Sequence, residues 1–397
     1  MREANRCRRE ISFPIGAAAS LEELVFDPHP LLSRLREREP VSWLPALGGW
    51  LVTRRDLALQ AMRRPATFTV EDPRFSTGRV VGTSMLSLDG AEHRRHRDPF
   101  ARPFRLDAVR RRFTEVVEAE TERLIDAIEP EARADLRRSL TGPLAATVVA
   151  DALGLARTDT AQILGWYDAI VEAVTGVAAA EPVKPVAKEA FEALRSSVEP
   201  SLDRDPSSSV VAAAASRAGR LTRSEVVSNV AVLMFGGIET TEGMIGNAIR
   251  HLLLHPDQRA LIDGDRGLLP NAVEESLRLE PAAAVVDRYA TAHVRLGNAS
   301  IGKGELVSIS IAGANRDPDF FPNPDRFDVR RENASRQVAF AAGPHVCIGM
   351  HLARLEAHTV IGRLLDRLPR LRLDPAHPSA PRGLIFRKPP MLHAVWD

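Results

Sequence analysis

The chain has 397 residues, of which 44% are hydrophobic and 26% charged, and its formal net charge is +1 at pH 7. This balance is typical of globular proteins and gives no overall field that would attract nucleic acid or anionic lipid. The two cysteines, Cys7 and Cys347, exclude a disulfide framework. The polar N-terminus is not typical of a signal peptide, and the longest apolar run, residues 230–235, is far short of the roughly 20 residues that span a bilayer. We therefore expect a cytoplasmic protein with neither nucleic acid nor membrane as a partner.

Helical patterns dominate the first part of the chain. Residues 41–44 and 50–53 read as short strands around a Gly-Gly turn. Apolar spacing then predicts helices over residues 106–128 and 140–155. The Pro- and Ser-rich segment 199–209 predicts a loop.

The clearest helix begins at Thr222. Thr222 and Glu225 have the spacing of a capping box, in which each side chain satisfies the other residue's free backbone N–H. His255-Pro256 ends the helix. Residues 223–254 would span about 48 Å at helical rise, which predicts a helix that crosses the whole molecule.

Short strands follow at residues 295–296, 300–301 and 306–311. A turn-rich segment with three prolines covers residues 315–330, and an amphipathic helix is predicted over residues 348–365. We see no internal repeat. The fold class is therefore mainly α with a minor β region.

The segment FAAGPHVCIG, residues 340–349, leads directly into the last helix. A helix N-terminus offers free N–H groups and the positive end of the macrodipole, and both favour a thiolate at Cys347. A lone cysteine here is otherwise a small buried hydrophobe. His345, Cys347 and His351 could also suggest zinc, but no fourth ligand lies nearby.

The long helix contains the segment FGGIETT, residues 235–241. Two interior glycines cost about 1 kcal/mol each relative to alanine, so close approach of a cofactor or O₂ to Gly236 and Gly237 would explain them. Glu239 and Thr240 place an acid and a hydroxyl beside that gap, as proton delivery requires. Helix-packing glycines with a solvated glutamate are the alternative.

These segments resemble motifs of the bacterial cytochromes P450. The first is similar to the family's haem-binding signature, Phe-Gly-x-Gly-x-His-x-Cys-x-Gly, and departs from it at Ala341, so the first turn of this loop could differ. The second is similar to the oxygen-activation motif, [Ala/Gly]-Gly-x-[Asp/Glu]-Thr. The motifs occur in the family's order from about residue 41 to the C-terminus. The resemblance implies one P450 domain over residues 1–397, with haem between the long helix and the helix after the cysteine loop.

The resemblance also implies a set of site residues. The cofactor is haem b (iron protoporphyrin IX), and Cys347 is the metal ligand. Further cofactor-binding residues are His93, Arg97, Gly237, Arg288, Phe340, His345 and Gly349. The catalytic residues are Glu239 and Thr240, with Glu239 relaying protons. The substrate-pocket candidates are Val81, Phe235, Gly236, Ala284, Val285 and Ile385.

A structural group is implied as well. In the family a buried Glu-x-x-Arg pair binds an arginine from the turn-rich segment. Here Glu275 and Arg278 form the pair, and Arg326 matches the third position. A solvated ion pair on a helix surface is the ordinary alternative. Gln337 stands where histidine is frequent and receives no function.

The implied activity is insertion of one atom of O₂ into a mid-sized, largely apolar organic substrate. The chain has no Gly-x-Gly-x-x-Gly dinucleotide fingerprint, so electrons from NAD(P)H should arrive through a separate ferredoxin and ferredoxin reductase. Arg94 and Arg95 could belong to the basic patch that docks the ferredoxin. We expect a monomer. Haem-thiolate chemistry without net oxygenation (isomerisation, dehydration, aryl coupling) and a non-catalytic haem sensor remain open alternatives.

Overall fold

The computed structural model describes residues 9, 11–155, 158–178, 182–216 and 221–397. Helices predominate. In chain order they are α1 Pro14–Ala18, α2 Leu21–Phe26, α3 His29–Arg38, α4 Arg55–Met62, α5 Ser76–Val81, α6 Gly90–Ala101, α7 Leu106–Ile128, α8 Gly142–Leu153, α9 Thr160–Ala178, α10 Pro185–Leu202, α11 Val210–Ala215, α12 Arg223–Leu254, α13 Pro256–Gly264, α14 Leu269–Leu279, α15 Ile311–Ala314 and α16 Met350–Arg367. Cys7, one of the two cysteines, lies outside the described residues.

The strands are short. They are β1 Val41–Leu44, β2 Gly49–Val52, β3 Phe68–Thr69, β4 Arg133–Asp135, β5 Val285–Ala290, β6 Val294–Leu296, β7 Ala299–Ile301, β8 Leu306–Ser310, β9 Arg372–Leu373 and β10 His393–Val395. One sheet has the order β1-β2-β8-β5-β3, in which only the β2–β8 pair is parallel. The other two are β4-β10-β9 and the hairpin β6-β7. The predicted fold class, mainly α with a minor β region, is confirmed.

Contacts within the chain divide it into two compact units. The first comprises Met1–Val70, Ala260–Cys347 and Ala380–Pro390, and the second comprises the remaining segments. The single domain expected over residues 1–397 stays a prediction.

The first unit is built on the five-stranded sheet. One face of this sheet carries a core that includes Trp50, Val52 and Ile309, all at most 1% exposed. Ala341 and Ala342 of the cysteine loop pack against the same core. The sheet therefore supports the loop that carries Cys347.

The second unit is built around α12, whose ends are those that the sequence predicts. Thr222 Oγ1 accepts from the Glu225 amide and the Glu225 carboxylate accepts from the Thr222 amide, completing the capping box. Most side chains of α12 are buried on all sides, as a central helix requires. Within the described residues, no helix combines the length and apolar character needed to cross a bilayer.

Two predicted boundaries are wrong. The segment 199–209 was expected to be a loop, but α10 continues through Pro200 to Leu202, because a proline near a helix end displaces few backbone hydrogen bonds. The helix predicted over residues 140–155 begins instead with a π-helical turn, Arg137–Thr141, before α8.

Candidate functional site

The cysteine loop is closed by its own backbone. The Cys347 amide donates to the Phe340 carbonyl at 2.8 Å, and the Val346 amide donates to the Gly343 carbonyl at 3.1 Å. Cys347 and Phe340 are nonetheless only partly buried by protein atoms. A cysteine and a large apolar side chain held in a fixed loop yet left accessible are suited to contact an apolar cofactor.

Two positions in this loop have left-handed backbone. Gly343 has φ of +75°, and a Cβ there would lie 2.6 Å from the Met62 carbonyl oxygen, so only glycine fits. Ala341 has φ of +59° although it carries a side chain. The turn at Ala341 thus has the backbone region that favours glycine, and the alanine costs about 1 kcal/mol of strain.

The first unit holds two of the basic residues predicted to bind the cofactor. Arg288 is buried in β5, where its Nη1 donates to the Asp287 carbonyl at 2.7 Å. His345 is half-buried in the cysteine loop, in the turn Gly343–His345. Gly349, another predicted cofactor-binding residue, belongs to the second unit. It directly precedes α16 and caps the first turn of that helix, since its carbonyl oxygen accepts from the Ala353 amide at 3.0 Å.

The Glu-x-x-Arg pair is buried, but its third partner is not Arg326. Arg278 donates to Glu275 through Nε at 2.7 Å and Nη2 at 2.9 Å, and both side chains are 0% exposed. Arg331 supplies the third side chain, with its Nε 2.9 Å from Glu275 Oε1. The exposed Arg326 contributes only its carbonyl oxygen, which accepts from Arg278 and Arg331. The prediction for the Arg326 side chain is therefore wrong, because the turns of this segment bring Arg331 inward.

Gln337, which received no function from the sequence, also has a place here. Its Nε2 donates to Glu274 at 3.0 Å, and its Oε1 accepts from the Ala339 amide. The side chain thus joins α14 to the start of the cysteine loop.

In the second unit, the middle of α12 has one accessible stripe on an otherwise buried surface. Its members recur at helical spacing and are partly exposed: Leu233, Gly236, Gly237 and Thr240. Thr240 Oγ1 donates to the Gly236 carbonyl at 2.6 Å, so the hydroxyl lies directly on this stripe. A Cβ added at Gly236 would meet nothing within 4 Å.

Gly237 has a packing role that the sequence did not indicate. A Cβ at this position would lie 2.6 Å from Val149 Cγ2 of α8. Gly237 therefore lets α8 pack closely against α12, and because the residue is also partly exposed its assignment to cofactor binding stays a prediction. Of the two glycines, Gly236 faces open space.

Glu239 is not solvated. It is 4% exposed and accepts a hydrogen bond from Tyr167 of α9. The sequence interpretation missed this phenol, as well as Glu242 and Arg137, which lie beside it. Helical spacing from Glu239 could have indicated Glu242, but no local pattern indicates the other two.

His93 and Arg97 lie one turn apart on α6, so their side chains share a face. Arg95 binds the start of α12, with its Nη2 2.5 Å from Glu225 Oε1, and the pKa of Glu225 is lowered to about 2 by this contact. Arg95 thus holds α6 against α12, and its part in a docking patch stays a prediction.

A second link on α6 was also not predicted. The buried His96 Nδ1 accepts from Asn229 at 3.0 Å, and Asn229 Oδ1 accepts from the Met85 amide at 2.7 Å. This chain of contacts fixes the segment between α5 and α6 relative to α12.

The substrate-pocket candidates divide by exposure. In the first unit, the Ala284 amide donates to the Ile385 carbonyl at 2.8 Å, which places these two together. Three candidates are partly exposed: Gly236, Val285 and Ile385. The other three are buried by protein atoms: Val81, Phe235 and Ala284.

Known proteins resemble this chain in both sequence and fold. The family model "Cytochrome P450" matches residues 264–391. The cytochrome P450 monooxygenase PikC of Streptomyces venezuelae is 34% identical, and the match covers 94% of this chain and 91% of PikC. The chain belongs to the cytochrome P450 family.

Other P450s extend the comparison. The vitamin D(3) 25-hydroxylase of Pseudonocardia autotrophica is 32% identical over 87% of this chain and 88% of its own length. Among solved structures, the post-tailoring hydroxylase HmtN superimposes with a TM-score of 0.81 at 26% identity, covering 94% of this chain and 98% of HmtN. The fold is thus the P450 fold, and the protein is an oxidoreductase with monooxygenase activity and haem b as its cofactor.

The residues of each unit fit this cofactor. The first unit offers the accessible Cys347 beside the apolar Phe340, together with the basic side chains Arg288 and His345, whose N–H groups are suited to carboxylate groups. The second unit offers an open strip on α12 at Gly236. Haem bound through a cysteine thiolate supplies O₂ activation.

Proposed function

We propose that this P450 inserts one atom of O₂ into a mid-sized, largely apolar organic substrate by hydroxylation or epoxidation. Electrons from NAD(P)H are supplied by a separate ferredoxin and ferredoxin reductase. The observation that supports this best is the arrangement on α12. Thr240 lies on the accessible stripe, one helical turn after Gly236, and the residue that directly precedes Thr240 is the buried Glu239.

The proposal gives each site residue a role. Cys347 would hold the haem iron through its thiolate, and the Phe340 ring and Gly349 would shape the loop around it. The basic donors for the haem propionates are His93, Arg97, Arg288 and His345. These roles are supported by the family's motifs, by the partial exposure of Cys347 and Phe340, and by the basic character of the four donors.

Thr240 and Glu239 handle protons. The Thr240 hydroxyl can turn from the Gly236 carbonyl to donate a hydrogen bond into the open strip. Glu239 is the adjacent acid, and its burial allows it to hold a proton away from bulk water. This acid–alcohol pair favours oxygenation, because O₂ activation requires delivery of protons whereas isomerisation and dehydration do not.

The expected substrate follows from the lining candidates, which are small or apolar. Two relatives are named for their substrates, vitamin D(3) and 20-oxo-5-O-mycaminosyltylactone. We therefore infer a natural-product or similar substrate of comparable size and polarity, within secondary metabolism.

A basic surface on the second unit suits an acidic ferredoxin. Arg110 is exposed on α7, and Arg354 lies on the first turns of α16, shortly after Cys347. Burial lowers the pKa of His351, and the positive charges of Arg354 and Arg110 lower it further. In the double variant Arg110→Glu/Arg354→Glu, we expect the ferredoxin concentration that gives half the maximal rate of NADPH consumption to rise about tenfold. The increase should be larger at low salt. Arg38→Glu, on an exposed part of α3, is the control.

The test of the reaction uses the haem-loaded protein with a plant-type ferredoxin, its reductase and NADPH. Vitamin D(3) and a macrolide lactone are screened for a spin-state change of the haem, and any ligand found is incubated under ¹⁸O₂. We predict a product with one ¹⁸O atom. A product without ¹⁸O would favour chemistry without net oxygenation, and a spectrum shifted only by small charged molecules would overturn the substrate class.

The domain and assembly predictions have a separate test. We propose one catalytic domain over residues 1–397 that acts as a monomer. Light scattering of the haem-loaded protein should give a mass near the 43.5 kDa of one chain plus its cofactor. A mass of twice that value would contradict the monomer.

A further inference from the structure

A cluster of four polar side chains surrounds Glu239, and the family motifs account for none of the other three. The Tyr167 hydroxyl donates to Glu239 Oε2 and lies 3.5 Å from Glu242 Oε2. Arg137 Nε lies 2.9 Å from Glu242 Oε1. One phenol therefore touches two carboxylates that are a single helical turn apart.

The cluster is built by three separate elements. Tyr167 comes from α9, the two glutamates from α12, and Arg137 from the π-helical turn that precedes α8. Turns of this kind often occur at functional sites. A Cβ at Gly142, directly after that turn, would lie 3.2 Å from Glu242 Oε1, so the glycine leaves room for the carboxylate.

The cluster reaches from solvent to the interior. The Arg137 side chain is 24% exposed, whereas Tyr167, Glu239 and Glu242 are each at most 5% exposed. The order of contacts is Arg137, Glu242, Tyr167, Glu239, and the next residue of α12 is Thr240. The line of polar groups therefore runs from the accessible end at Arg137 to the acid of the acid–alcohol pair.

The charges fit a path for protons. Arg137 contacts Glu242 directly, and the charge of Glu239 also acts on the guanidinium. Burial raises the pKa of Tyr167, and the charges of Glu239 and Glu242 raise it further, so that its phenol stays neutral and always has a proton to donate. Burial lowers the pKa of Arg137, but the carboxylates outweigh this effect and raise it, so that the guanidinium stays charged.

We propose that Tyr167 and Glu242 pass protons to Glu239 from the solvent side at Arg137. Glu242 takes a proton from water, its carboxyl approaches the phenol from the present 3.5 Å, and the phenol oxygen accepts that proton. The phenol's own proton moves to Glu239 at the same time, so Tyr167 ends neutral, as it began. Both residues act through Glu239 and are positioning residues. The inference rests on the proposed role of Glu239.

The test needs no identified substrate. Haem-loaded protein is supplied with saturating plant-type ferredoxin, its reductase, NADPH and O₂, and NADPH consumption is measured in H₂O and D₂O. We predict that Tyr167→Phe and Glu242→Gln each lower the rate about tenfold and change the solvent isotope effect, as loss of an acid–base group does. Tyr289→Phe is the matched control, because it removes the chain's other tyrosine hydroxyl.

The variants also separate this inference from the proposed function. If Glu239→Gln and Thr240→Ala alter the rate or the peroxide released while Tyr167→Phe and Glu242→Gln match the parent, the acid–alcohol pair stands and the Tyr167 path is wrong. If all four match the parent, the proposed role of the pair fails as well. A uniform fall in thermal stability with an unchanged isotope effect would make Tyr167 a packing residue only.

A spectroscopic measurement tests the contact without turnover. In a Tyr289→Phe background Tyr167 is the sole tyrosine, so the infrared band of the phenol C–O bond arises from it alone. Glu239→Gln replaces a charged acceptor with a neutral one, and we predict a shift of that band in the haem-loaded protein. An unchanged band would overturn the proposal, because the phenol would not then donate to Glu239.

Discussion

Gly237 of α12 and Val149 of α8 pack so closely that a Cβ on the glycine would lie 2.6 Å from the valine Cγ2. The neighbouring Gly236 would gain a Cβ in open space. Two adjacent glycines of one motif therefore serve different purposes, one for packing and one for access to the stripe that carries Thr240.

Gly237→Ala should destabilise the protein by about 1–3 kcal/mol, because the added methyl group overpacks the interface between α8 and α12. Equilibrium unfolding in urea measures this change. Gly236→Ala is the matched control and should stabilise the helix by about 1 kcal/mol. Val149→Ala combined with Gly237→Ala should recover much of the loss. Equal effects of the two single alanine variants would contradict the assignment.

Arg331→Ala should lower the free energy of unfolding by about 3 kcal/mol, since it removes one of two cations from the fully buried Glu275. Arg326→Ala keeps the carbonyl oxygen that accepts from Arg278 and should change stability by about 0.5 kcal/mol or less. Thermal unfolding of both variants compares the two arginines directly. A larger loss for Arg326→Ala would show that the family position, not the observed contact, identifies the third partner.

Ala341→Gly should stabilise the cysteine loop by up to about 1 kcal/mol, because glycine removes the strain of φ at +59°. Gly343→Ala should act oppositely and lower both stability and the haem content, since its Cβ would lie 2.6 Å from the Met62 carbonyl oxygen. Haem per protein and the unfolding midpoint report the two effects. A loss of haem in Ala341→Gly would contradict this account of the turn.

Stability at acid pH should depend on Glu280. Burial raises the pKa of its carboxyl, but hydrogen bonds from His29 at 2.9 Å and Arg387 at 2.8 Å outweigh it and lower the pKa from 4.5 to about 2. The folded state therefore binds this proton less tightly than the unfolded chain. The contribution, about 3 kcal/mol, is complete above about pH 4.5 and is lost as pH falls to about 2.

Urea unfolding at several pH values across this window tests the prediction. Glu280→Gln should be less stable than the parent at neutral pH and should show a flatter decline below about pH 4.5. Glu118→Gln, an exposed position on α7, is the control and should follow the parent. Parallel curves for the parent and Glu280→Gln would contradict the role of this carboxyl.

Local chemistry made α12 predictable from sequence. The Thr222–Glu225 box fixes its first turn and His255-Pro256 ends it, and both are decided within a few residues of the chain. The strands Val294–Leu296 and Ala299–Ile301 were similarly indicated by the Gly-Asn turn between them. The cysteine loop was found because its sequence matches a motif of known purpose.

Contacts between distant residues could not be predicted in the same way. The choice of Arg331 over Arg326 depends on the path of a turn-rich segment that has no periodicity. Tyr167 meets Glu239 from 72 residues away, through packing of α9 on α12. The distinction between Gly236 and Gly237 depends on how α12 is rotated about its axis, which helix propensity does not determine.

The most direct measurement of the central claim is the carbon monoxide difference spectrum of the reduced, haem-loaded protein. Ligation by the Cys347 thiolate predicts the long-wavelength Soret band that is specific to carbonyl haem with a thiolate ligand. A folded, haem-replete sample without that band would contradict thiolate ligation at Cys347, and with it the assignment of the oxygenation chemistry to this site.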